Sequence, residues 1–303
     1  MNSSGIANGC SALTDTILVT GATGFVGTHL VAELRRQGRP VRTHSRRDGD
    51  IARCALAFDD VGQVVHLASR TFVPESWTSP LDFYDTNVVG TVNVLDFCRQ
   101  RRIPLTFVSS YVYGKPRTLP IDESHPLQAF NPYSHSKILA EQAVCYFADQ
   151  FGVRATIVRP FNLYGPGQDD RFLIPTLVRQ ALEPACTRIT VRDTRPRRDF
   201  LHVRDFTALL LGSLDREPGG IFNAGSGRSV AISELVAAIA LATGCEKPID
   251  TADEARPNEV FDVVADITAA RSVLGWAPRI GLDDGLRETV AWMQARAAVA
   301  GTR

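Results

Sequence analysis

Hydrophobic residues in the first half of the chain alternate between short continuous runs and stripes of helical spacing. Residues 16–20 form an apolar run that ends at Gly21, which is typical of a buried parallel strand. Val26, Leu30 and Leu34 then recur every four residues, which predicts one apolar face of a helix. Further strands are predicted at 41–44, 61–68, 105–109 and 155–159, and helices at 87–101 and 132–150. This alternation predicts an α/β fold built on a Rossmann-type doubly wound parallel sheet.

Beyond residue 163 the alternation is weaker. Helices are expected at 171–182, 233–243 and 282–296, a strand at 188–191, and a strand followed by a helix over 200–214. We therefore predict a Rossmann domain at 16–163, which the chain rejoins at about 195–225, and a smaller C-terminal substrate lobe at 164–194 and 226–303. Residues 1–15 are polar and rich in Gly and Ser, so a disordered lead-in without a signal peptide is expected.

Composition disfavours several function classes. The 33 basic and 33 acidic side chains leave no net charge, so neither a nucleic-acid partner nor a membrane surface is expected. No run approaches the roughly 18 apolar residues of a membrane span. The six cysteines contain no C-x-x-C pair, which indicates reduced thiols in the cytoplasm rather than disulfides or a metal site. Arginines cluster at 42–53 and 192–204, where they are either solvated or bind phosphate groups.

One pair of side chains indicates chemistry. Tyr133 and Lys137 are four residues apart in a predicted helix, so they share one face. A free phenol has a pKa of about 10, and an adjacent ammonium stabilises the phenolate and lowers that pKa toward the working range. Upstream, Ser109 and Ser110 end a predicted strand and offer a hydroxyl that can hold a substrate oxygen. The combination predicts a proton relay of serine, tyrosine and lysine.

The segment from Gly21 to Gly27 has the form of a dinucleotide-binding turn. It follows the first predicted strand directly and opens the first helix. Glycines permit a tight turn and a close approach of the pyrophosphate, and the free N–H groups of the helix N-terminus attract its negative charge. The predicted cofactor contacts from this segment are Gly21, Thr23, Gly24, Phe25, Val26 and Gly27.

The end of the second predicted strand bears on which dinucleotide is bound. An acidic residue there binds the ribose 2′-hydroxyl of NAD, but this chain has Ser45, Arg46 and Arg47. A guanidinium at that point can pair with a 2′-phosphate, so NADP(H) is favoured. The alternative is that both arginines are merely exposed and the cofactor is NAD. Asp50 and Ile51 are expected to cover the adenine, in a segment too short for the usual third strand.

Taken together, these residues give a chain that resembles the extended short-chain dehydrogenases/reductases, the group of nucleotide-sugar epimerases, dehydratases and reductases. The resemblance is carried by residues 21–27, 66–68, 87–95, 109–114, 132–137, 159–167, 198–200, 256–258 and 274–276. It implies that Ser109 is the catalytic serine, with Ser110 as the neighbouring candidate. It implies that Tyr133 is the acid-base and that Lys137 tunes it while binding the nicotinamide ribose. Further implied cofactor contacts are Leu67, Ala68, Ser69, Asn87, Tyr133, Lys137 and Pro160.

The resemblance also implies substrate contacts. These are Ser109, Ser110, Tyr111, Asn162, Arg171, Arg192, Arg198 and Arg256. Among them, Arg256 resembles an arginine that binds the nucleotide diphosphate. The alternatives are structural, with Asn162 capping its loop and Arg198 pairing with Asp199. Related dehydratases place an Asp-Glu pair directly after the catalytic residue, whereas this chain has Ser110 and Tyr111, so 4,6-dehydration is not expected.

The function implied by the resemblance is hydride transfer at C4 of a nucleotide-diphosphate sugar. We favour an NADP-dependent 4-ketoreductase that makes a deoxysugar nucleotide. The alternative is an NAD-dependent nucleotide-sugar 4-epimerase, which uses the same residues but keeps its cofactor bound. A non-catalytic NADP-binding regulator is disfavoured, because a sensor needs no proton relay. The resemblance also suggests a homodimer through helices 87–101 and 137–150, which carry more apolar surface than one sheet face requires.

Overall fold

A parallel sheet of six strands forms the centre of the structure, a computed structural model that describes residues 15–252, 254 and 260–301. The strands of the described residues, in chain order, are β1 (Thr16–Thr20), β2 (Val41–His44), β3 (Val61–His66), β4 (Leu105–Val108), β5 (Ala155–Pro160), β6 (Asn162–Tyr164), β7 (Ile189–Val191), β8 (Arg197–His202), β9 (Gly220–Ala224), β10 (Ser229–Ala231) and β11 (Ile249–Thr251). The main sheet has the order β2-β1-β3-β4-β5-β9. Its winding reverses between β1 and β3, which confirms the predicted doubly wound parallel sheet.

Helices cover both faces of this sheet and build the remainder of the molecule. They are α1 (Phe25–Arg36), α2 (Val73–Thr78), α3 (Pro80–Tyr84), α4 (Gly90–Arg101), α5 (Pro132–Phe151), α6 (Leu173–Leu182), α7 (Val203–Arg216), α8 (Ile232–Thr243), α9 (Thr268–Leu274) and α10 (Leu282–Gly301). A π-helical turn, Asp85–Val89, connects α3 to α4 without a break. The helix predicted at 87–101 therefore begins earlier than expected.

Three apolar clusters hold these layers together. On one face of the main sheet, Leu30 of α1 packs in a cluster with Leu209 of α7. On the other face, Leu95 of α4 packs in a cluster with Val144 of α5. The third cluster joins α6, α8 and α10 to the smaller sheets β10-β8-β6 and β11-β7. The main sheet is thus buried on both faces, which explains why its central strands are continuously apolar.

Helix α5 forms where the sequence signals predicted it. Asn131 caps its first turn by accepting the N–H of Ser134 at 2.7 Å, and Pro132 occupies the first helical position. The helix ends at Gly152, whose φ of +69° is left-handed. The helix predicted at 171–182 instead begins at Leu173, because the preceding residues form a turn.

The remaining expectations concern the segment after β2, the N-terminal residues, membrane spans, the lobe boundaries and the oligomeric state. Residues 45–60, all of them described, form no strand, as the shortness of that segment indicated, and β2 lies at the edge of the main sheet as far as the described strands show. The predicted lead-in lies outside the described residues except for Asp15. None of the helices described here is long and apolar enough to cross a membrane. The boundaries of the two lobes and the homodimer stay predictions.

Candidate active site

A cleft of about 810 Å³ opens where the carboxyl ends of β1, β3, β4 and β5 meet. Its other wall comes from the segments around α6, β7 and β8. Most of the residues predicted from the sequence line this cleft: Gly21, Gly24, Phe25, Val26, Gly27, Arg46, Leu67, Ser69, Ser109, Ser110, Tyr133, Lys137, Pro160, Asn162, Arg171, Arg192 and Arg198. The tertiary structure thus brings the glycine turn, the relay residues and four arginines to one cleft.

The other predicted residues within the described ranges do not line the cleft, and their ligand contacts stay predictions. Ile51 is buried in the apolar cluster beneath α4. Asp50 caps its own turn. The Tyr111 hydroxyl donates to the carbonyl oxygen of Gly114. Arg256 lies outside the described residues. The remaining positions are Thr23, Ser45, Arg47, Ala68 and Asn87.

The glycine turn between β1 and α1 packs too closely to carry side chains at two positions. Gly21 has a φ of +68°, and a Cβ there would lie 2.7 Å from the backbone nitrogen of Ala68. A Cβ on Gly27 would lie 2.2 Å from the carbonyl oxygen of Gly21. Both positions therefore require glycine. Because no side chain caps α1 at Gly24, its first N–H groups can serve a pyrophosphate. These residues fit a dinucleotide.

Ser109 places a hydroxyl group in the cleft without a protein partner. Its backbone N–H donates to the carbonyl oxygen of Val158 at 2.8 Å, which holds the residue at the end of β4. Its Oγ is buried and forms no hydrogen bond within the described structure. Leaving a buried polar group unpaired costs about 1–3 kcal/mol. A ligand oxygen at this position would remove that cost.

Lys137 is buried beneath the cleft on α5. Its Nζ donates to the carbonyl oxygen of Val108 at 2.7 Å and lies 4.5 Å from the centre of the Phe107 ring. Burial lowers the pKa of Lys137 to about 7, and the nearby Glu141 carboxylate opposes this shift. The side chain therefore changes between the charged ammonium and the neutral amine within the neutral pH range.

Tyr133 lies one turn before Lys137 and faces the same cleft. Its ring packs edge-on against Phe83, with 6.3 Å between the ring centres. Burial raises the pKa of Tyr133, and an interaction with the Ser110 side chain partly offsets the rise. The lowered pKa expected from the sequence is therefore wrong for this structure, because desolvation of the phenolate dominates.

Asn87 connects the loop after β3 to α5. It lies in the π-helical turn and is fully buried. Its Nδ2 donates to Ser136 Oγ at 2.9 Å and to the carbonyl oxygen of Arg70 at 3.1 Å. Its Oδ1 accepts from the backbone N–H of Arg70 at 2.8 Å and from Ser69 Oγ at 2.9 Å. Asn87 thus positions the cleft wall, and the structure gives it no direct place in the cleft.

Two buried threonine hydroxyl groups determine which ring nitrogen of His66 carries the proton. Thr91 Oγ1 donates to the carbonyl oxygen of Asn87 at 2.6 Å, so it accepts from His66 Nε2 at 3.1 Å. Thr20 Oγ1 then donates to His66 Nδ1 at 2.7 Å and accepts the backbone N–H of Ala68 at 3.2 Å. His66 is therefore neutral with its proton on Nε2. Burial lowers the pKa of His66 to about 3.

The end of β2 contains a carboxylate that the strand-end motif did not reveal. Asp48 accepts both the backbone N–H and the hydroxyl of Ser45, each at 2.8 Å, and these bonds lower the pKa of Asp48. The Ser45 donors are thus already paired with an anionic group. Arg46 is exposed beside them and lines the cleft. The Ser-x-x-Asp spacing of a side-chain turn was the sequence signal for this contact.

A group of side chains that the sequence did not single out connects the two walls of the cleft. Glu75 lies 3.2 Å from Arg70 and 3.6 Å from Arg171, which comes from the opposite wall. The Arg171 guanidinium also lies 4.4 Å from the centre of the Phe72 ring. Phe72 packs edge-on against Phe172, with 5.9 Å between the ring centres. No motif marked the segment that contains Arg70, Phe72 and Glu75.

The remaining predicted substrate contacts are partly engaged by the protein. Arg192 is exposed on the cleft wall. Arg198 Nη1 donates to the carbonyl oxygen of Val260 at 2.7 Å. Asn162 Nδ2 donates to the carbonyl oxygen of Asp199 at 3.1 Å. No group of three or more His, Cys, Asp or Glu side chains in the described ranges could hold a metal ion.

Comparisons with known proteins identify the family of the chain. Residues 17–225 match the model of the NAD dependent epimerase/dehydratase family. A putative UDP-glucose 4-epimerase of Methanocaldococcus jannaschii is 32% identical, over 92% of this chain and 98% of its own length. A GDP-6-deoxy-D-mannose reductase of Pseudomonas aeruginosa is 32% identical, over 94% of this chain and 99% of its own length.

A solved structure shows the same likeness in three dimensions. The structure of RMD from Pseudomonas aeruginosa complexed with NADPH has a TM-score of 0.86 and 30% identity, and the match covers 93% of this chain and 100% of that chain. The curated relatives include both an epimerase and a reductase. The protein therefore belongs to the NAD-dependent epimerase/dehydratase family, as an extended short-chain dehydrogenase/reductase of the nucleotide-sugar epimerase and reductase type.

Proposed function

We propose that the protein is an NADP(H)-dependent reductase of the C4 keto group of a nucleotide-diphosphate deoxysugar. The observation that carries the proposal is the unpaired Ser109 hydroxyl in the same cleft as Tyr133 and Lys137. These three groups supply a hydrogen-bond donor, a proton donor and a positive charge. The glycine turn on the adjacent wall fits a dinucleotide. A keto oxygen that gains negative charge during reduction matches this set of donors.

The proposed mechanism assigns one task to each residue. A bound nicotinamide dinucleotide supplies the hydride. Ser109 donates a hydrogen bond to the C4 oxygen, and Tyr133 transfers its phenolic proton to that oxygen as negative charge develops. Lys137 stabilises the resulting phenolate by its own charge. The chain's contribution is thus positioning and stabilisation of charge in a buried site.

The choice of NADP(H) rests on the end of β2. Arg46 lines the cleft there, and no hydrogen bond or ion pair to another residue of the described chain engages its guanidinium. A free guanidinium can form a charge-assisted contact with a 2′-phosphate. A cofactor that is exchanged at each turnover suits a reductase. Of the two activities found among the relatives, this feature favours the reductase.

A 4-epimerase that uses NAD is the second candidate, and Asp48 favours it. The Asp48 carboxylate lies at the end of β2, where it accepts two hydrogen bonds from Ser45. A carboxylate in this region can accept a bond from a ribose 2′-hydroxyl and repels a 2′-phosphate. Such a site would retain NAD, which an epimerase requires. Arg46 and Asp48 therefore act in opposite directions on the same choice.

The experiment that tests the proposal is identification of the cofactor and the product. The purified protein is denatured, and the released cofactor is identified by mass spectrometry. The protein is then assayed with NADPH and a nucleotide-diphosphate 4-keto-6-deoxysugar, and separately with UDP-glucose and GDP-mannose. We expect released NADP or no cofactor, and oxidation of NADPH by the keto sugar. Bound NAD and interconversion of 4-epimers would instead establish the epimerase.

A further inference from the structure

A buried ion pair behind the cleft, Glu141 with Arg159, has a place in the proton relay that the sequence motifs did not suggest. Glu141 follows Lys137 by one helical turn on α5, as Lys137 follows Tyr133. Residues at this spacing share one face of a helix. Glu141 and Arg159 each have 3% relative exposure, and neither lines the cleft. Neither residue can therefore touch a substrate or cofactor there.

Arg159 holds the Glu141 carboxylate in one position. Its Nε donates to Glu141 Oε1 at 3.0 Å, and its Nη2 donates to Oε2 at 2.6 Å. Its Nη1 donates to the Tyr113 hydroxyl at 3.0 Å and to the carbonyl oxygen of Glu123 at 3.2 Å. These bonds tie Arg159 of β5 to two further segments. This bidentate pair fixes the carboxylate opposite the guanidinium charge, inside the protein.

Within the described ranges, the other groups around Lys137 carry no negative charge that could balance a buried ammonium. The Val108 carbonyl from β4 and the Phe107 ring are its direct contacts. His66 from β3 is neutral, and the charge of Lys137 helps to keep it so. Tyr133 from the same helix is neutral as well, because burial raises its pKa. Glu141 is the carboxylate whose field favours the charged form of Lys137.

We propose that Glu141 is a positioning residue of the proton relay: its carboxylate, held by Arg159, keeps Lys137 charged inside the protein. Lys137 in turn makes the Tyr133 phenol a competent proton donor. The inference rests on the proposed function only where it concerns turnover. The charge state of Lys137 itself does not depend on the identity of the substrate. The simpler reading, that the pair only fastens α5 to β5, predicts no effect on the titration of Lys137.

The chain permits a direct measurement, because its only lysines are Lys115, Lys137 and Lys247. Lysine labelled with ¹³C at Cε gives few NMR signals, and the Lys137→Met variant identifies the one from Lys137. The signal is followed against pH in the wild type, in Glu141→Gln and in the charge-preserving control Glu141→Asp. Glutamine keeps the size of the side chain and an acceptor for Arg159 but removes the charge.

We expect the Lys137 midpoint to lie near neutral pH in the wild type and to fall by roughly 1 pH unit or more in Glu141→Gln. Glu141→Asp should restore most of the difference. Midpoints in the wild type and Glu141→Gln that agree within about 0.3 units, or a wild-type midpoint near the value of about 10.4 of a free lysine, would overturn the proposal. If Glu141→Gln does not fold, Arg159→Lys replaces it, since a less rigidly held carboxylate should also lower the midpoint.

Turnover provides the second measurement. As pH rises, Lys137 loses its charge and activity should decline. In Glu141→Gln this decline should begin at a lower pH than in the wild type, by the same number of pH units as the NMR midpoint moves. The variant should approach wild-type activity at more acidic pH. A purely structural role would instead reduce activity by the same factor at every pH. A displaced NMR midpoint in a protein without keto-sugar reductase activity would retain this inference and reject the proposed function.

Discussion

The two walls of the cleft are built in different ways. We call the wall at the carboxyl ends of β1, β3, β4 and β5 the cofactor wall, and the opposite wall around α6, β7 and β8 the substrate wall, after the ligands that we propose for them. On the cofactor wall, a glycine turn and buried side chains hold most groups in place, as at Gly21, Ser109 and Lys137. On the substrate wall, arginines are partly exposed and pair with acids on the surface. Arg171 bonds Asp169 two residues away at 2.9 Å and has more than half of its side chain exposed.

This difference in burial determines how strongly each charged group can interact with its neighbours or with a ligand. A charge removed from water interacts strongly with its neighbours, whereas an exposed ion pair is screened and contributes about 0–1 kcal/mol. We therefore expect substitutions of the buried groups on the cofactor wall to change turnover strongly. Substitutions on the substrate wall should mainly change KM, and by small factors.

The largest effect is expected for Tyr133→Phe. The phenyl ring preserves the packing against Phe83, and only the proton relay is lost, so kcat should fall by a factor on the order of 10²–10⁴. Cofactor affinity should change little. It is measured by the quenching of protein fluorescence as cofactor is added. Activity within a few-fold of wild type would show that another group is the acid. Tyr146→Phe, on the outer face of the same helix, is the matched control.

The second prediction concerns cofactor choice. Arg46→Asp replaces a cation that can pair with a 2′-phosphate by an anion that repels it, so the ratio of NADPH to NADH affinity should fall about 30- to 1000-fold. The arms of the experiment are titrations of both cofactors with wild type, Arg46→Asp and Arg47→Asp. Because Arg47 does not line the cleft, its substitution should have a smaller effect. A wild type that already prefers NADH would favour the epimerase instead.

The third prediction concerns the buried His66 and the pH dependence of the free energy of unfolding. Its pKa is about 3 in the folded protein, against about 6.5 for a free histidine. As pH falls below about 6.5, the unfolded chain binds a proton that the folded chain does not, so stability falls by up to about 1.4 kcal/mol per pH unit from this residue. The loss continues until pH approaches about 3.

The measurement is urea unfolding at several pH values between about 4 and 7, on the wild type and on His66→Asn. The variant should lose stability less steeply with falling pH, whatever its stability at pH 7. His44 and His202 also have lowered pKa values from burial, so some slope should remain. Parallel curves for the two proteins would show that His66 does not carry this dependence.

The smallest effect is expected on the substrate wall. Arg171→Met removes the ion pairs with Glu75 and Asp169 but keeps an apolar side chain near Phe72. KM for the nucleotide sugar should rise by no more than about fivefold, with kcat nearly unchanged. Arg171→Lys, which preserves the charge, is the control. A large loss of kcat would contradict the expected difference between the two walls and would show that Arg171 acts at the reacting centre.

Local spacing along the chain was sufficient to predict β1, α1 and α5, and to place Tyr133 and Lys137 on one helix face. A strand that ends at Gly21 and a helix that begins at Phe25 follow from the apolar pattern and from the backbone freedom of glycine. The i, i+4 spacing of Tyr133 and Lys137 places them on one helix face, and Asn131 with Pro132 marks where that helix starts. Each of these features depends on residues only a few positions apart, so helix and strand geometry alone determine them.

Only the tertiary structure decided the electrostatics of the site. The lowered pKa of Lys137, the unpaired Ser109 hydroxyl and the raised pKa of Tyr133 all result from burial by elements distant in sequence. The Glu141–Arg159 pair joins α5 to β5, and Glu75 reaches Arg171 across the cleft. Desolvation and long-range ion pairing depend on which segments pack together, and residue spacing along the chain does not encode them.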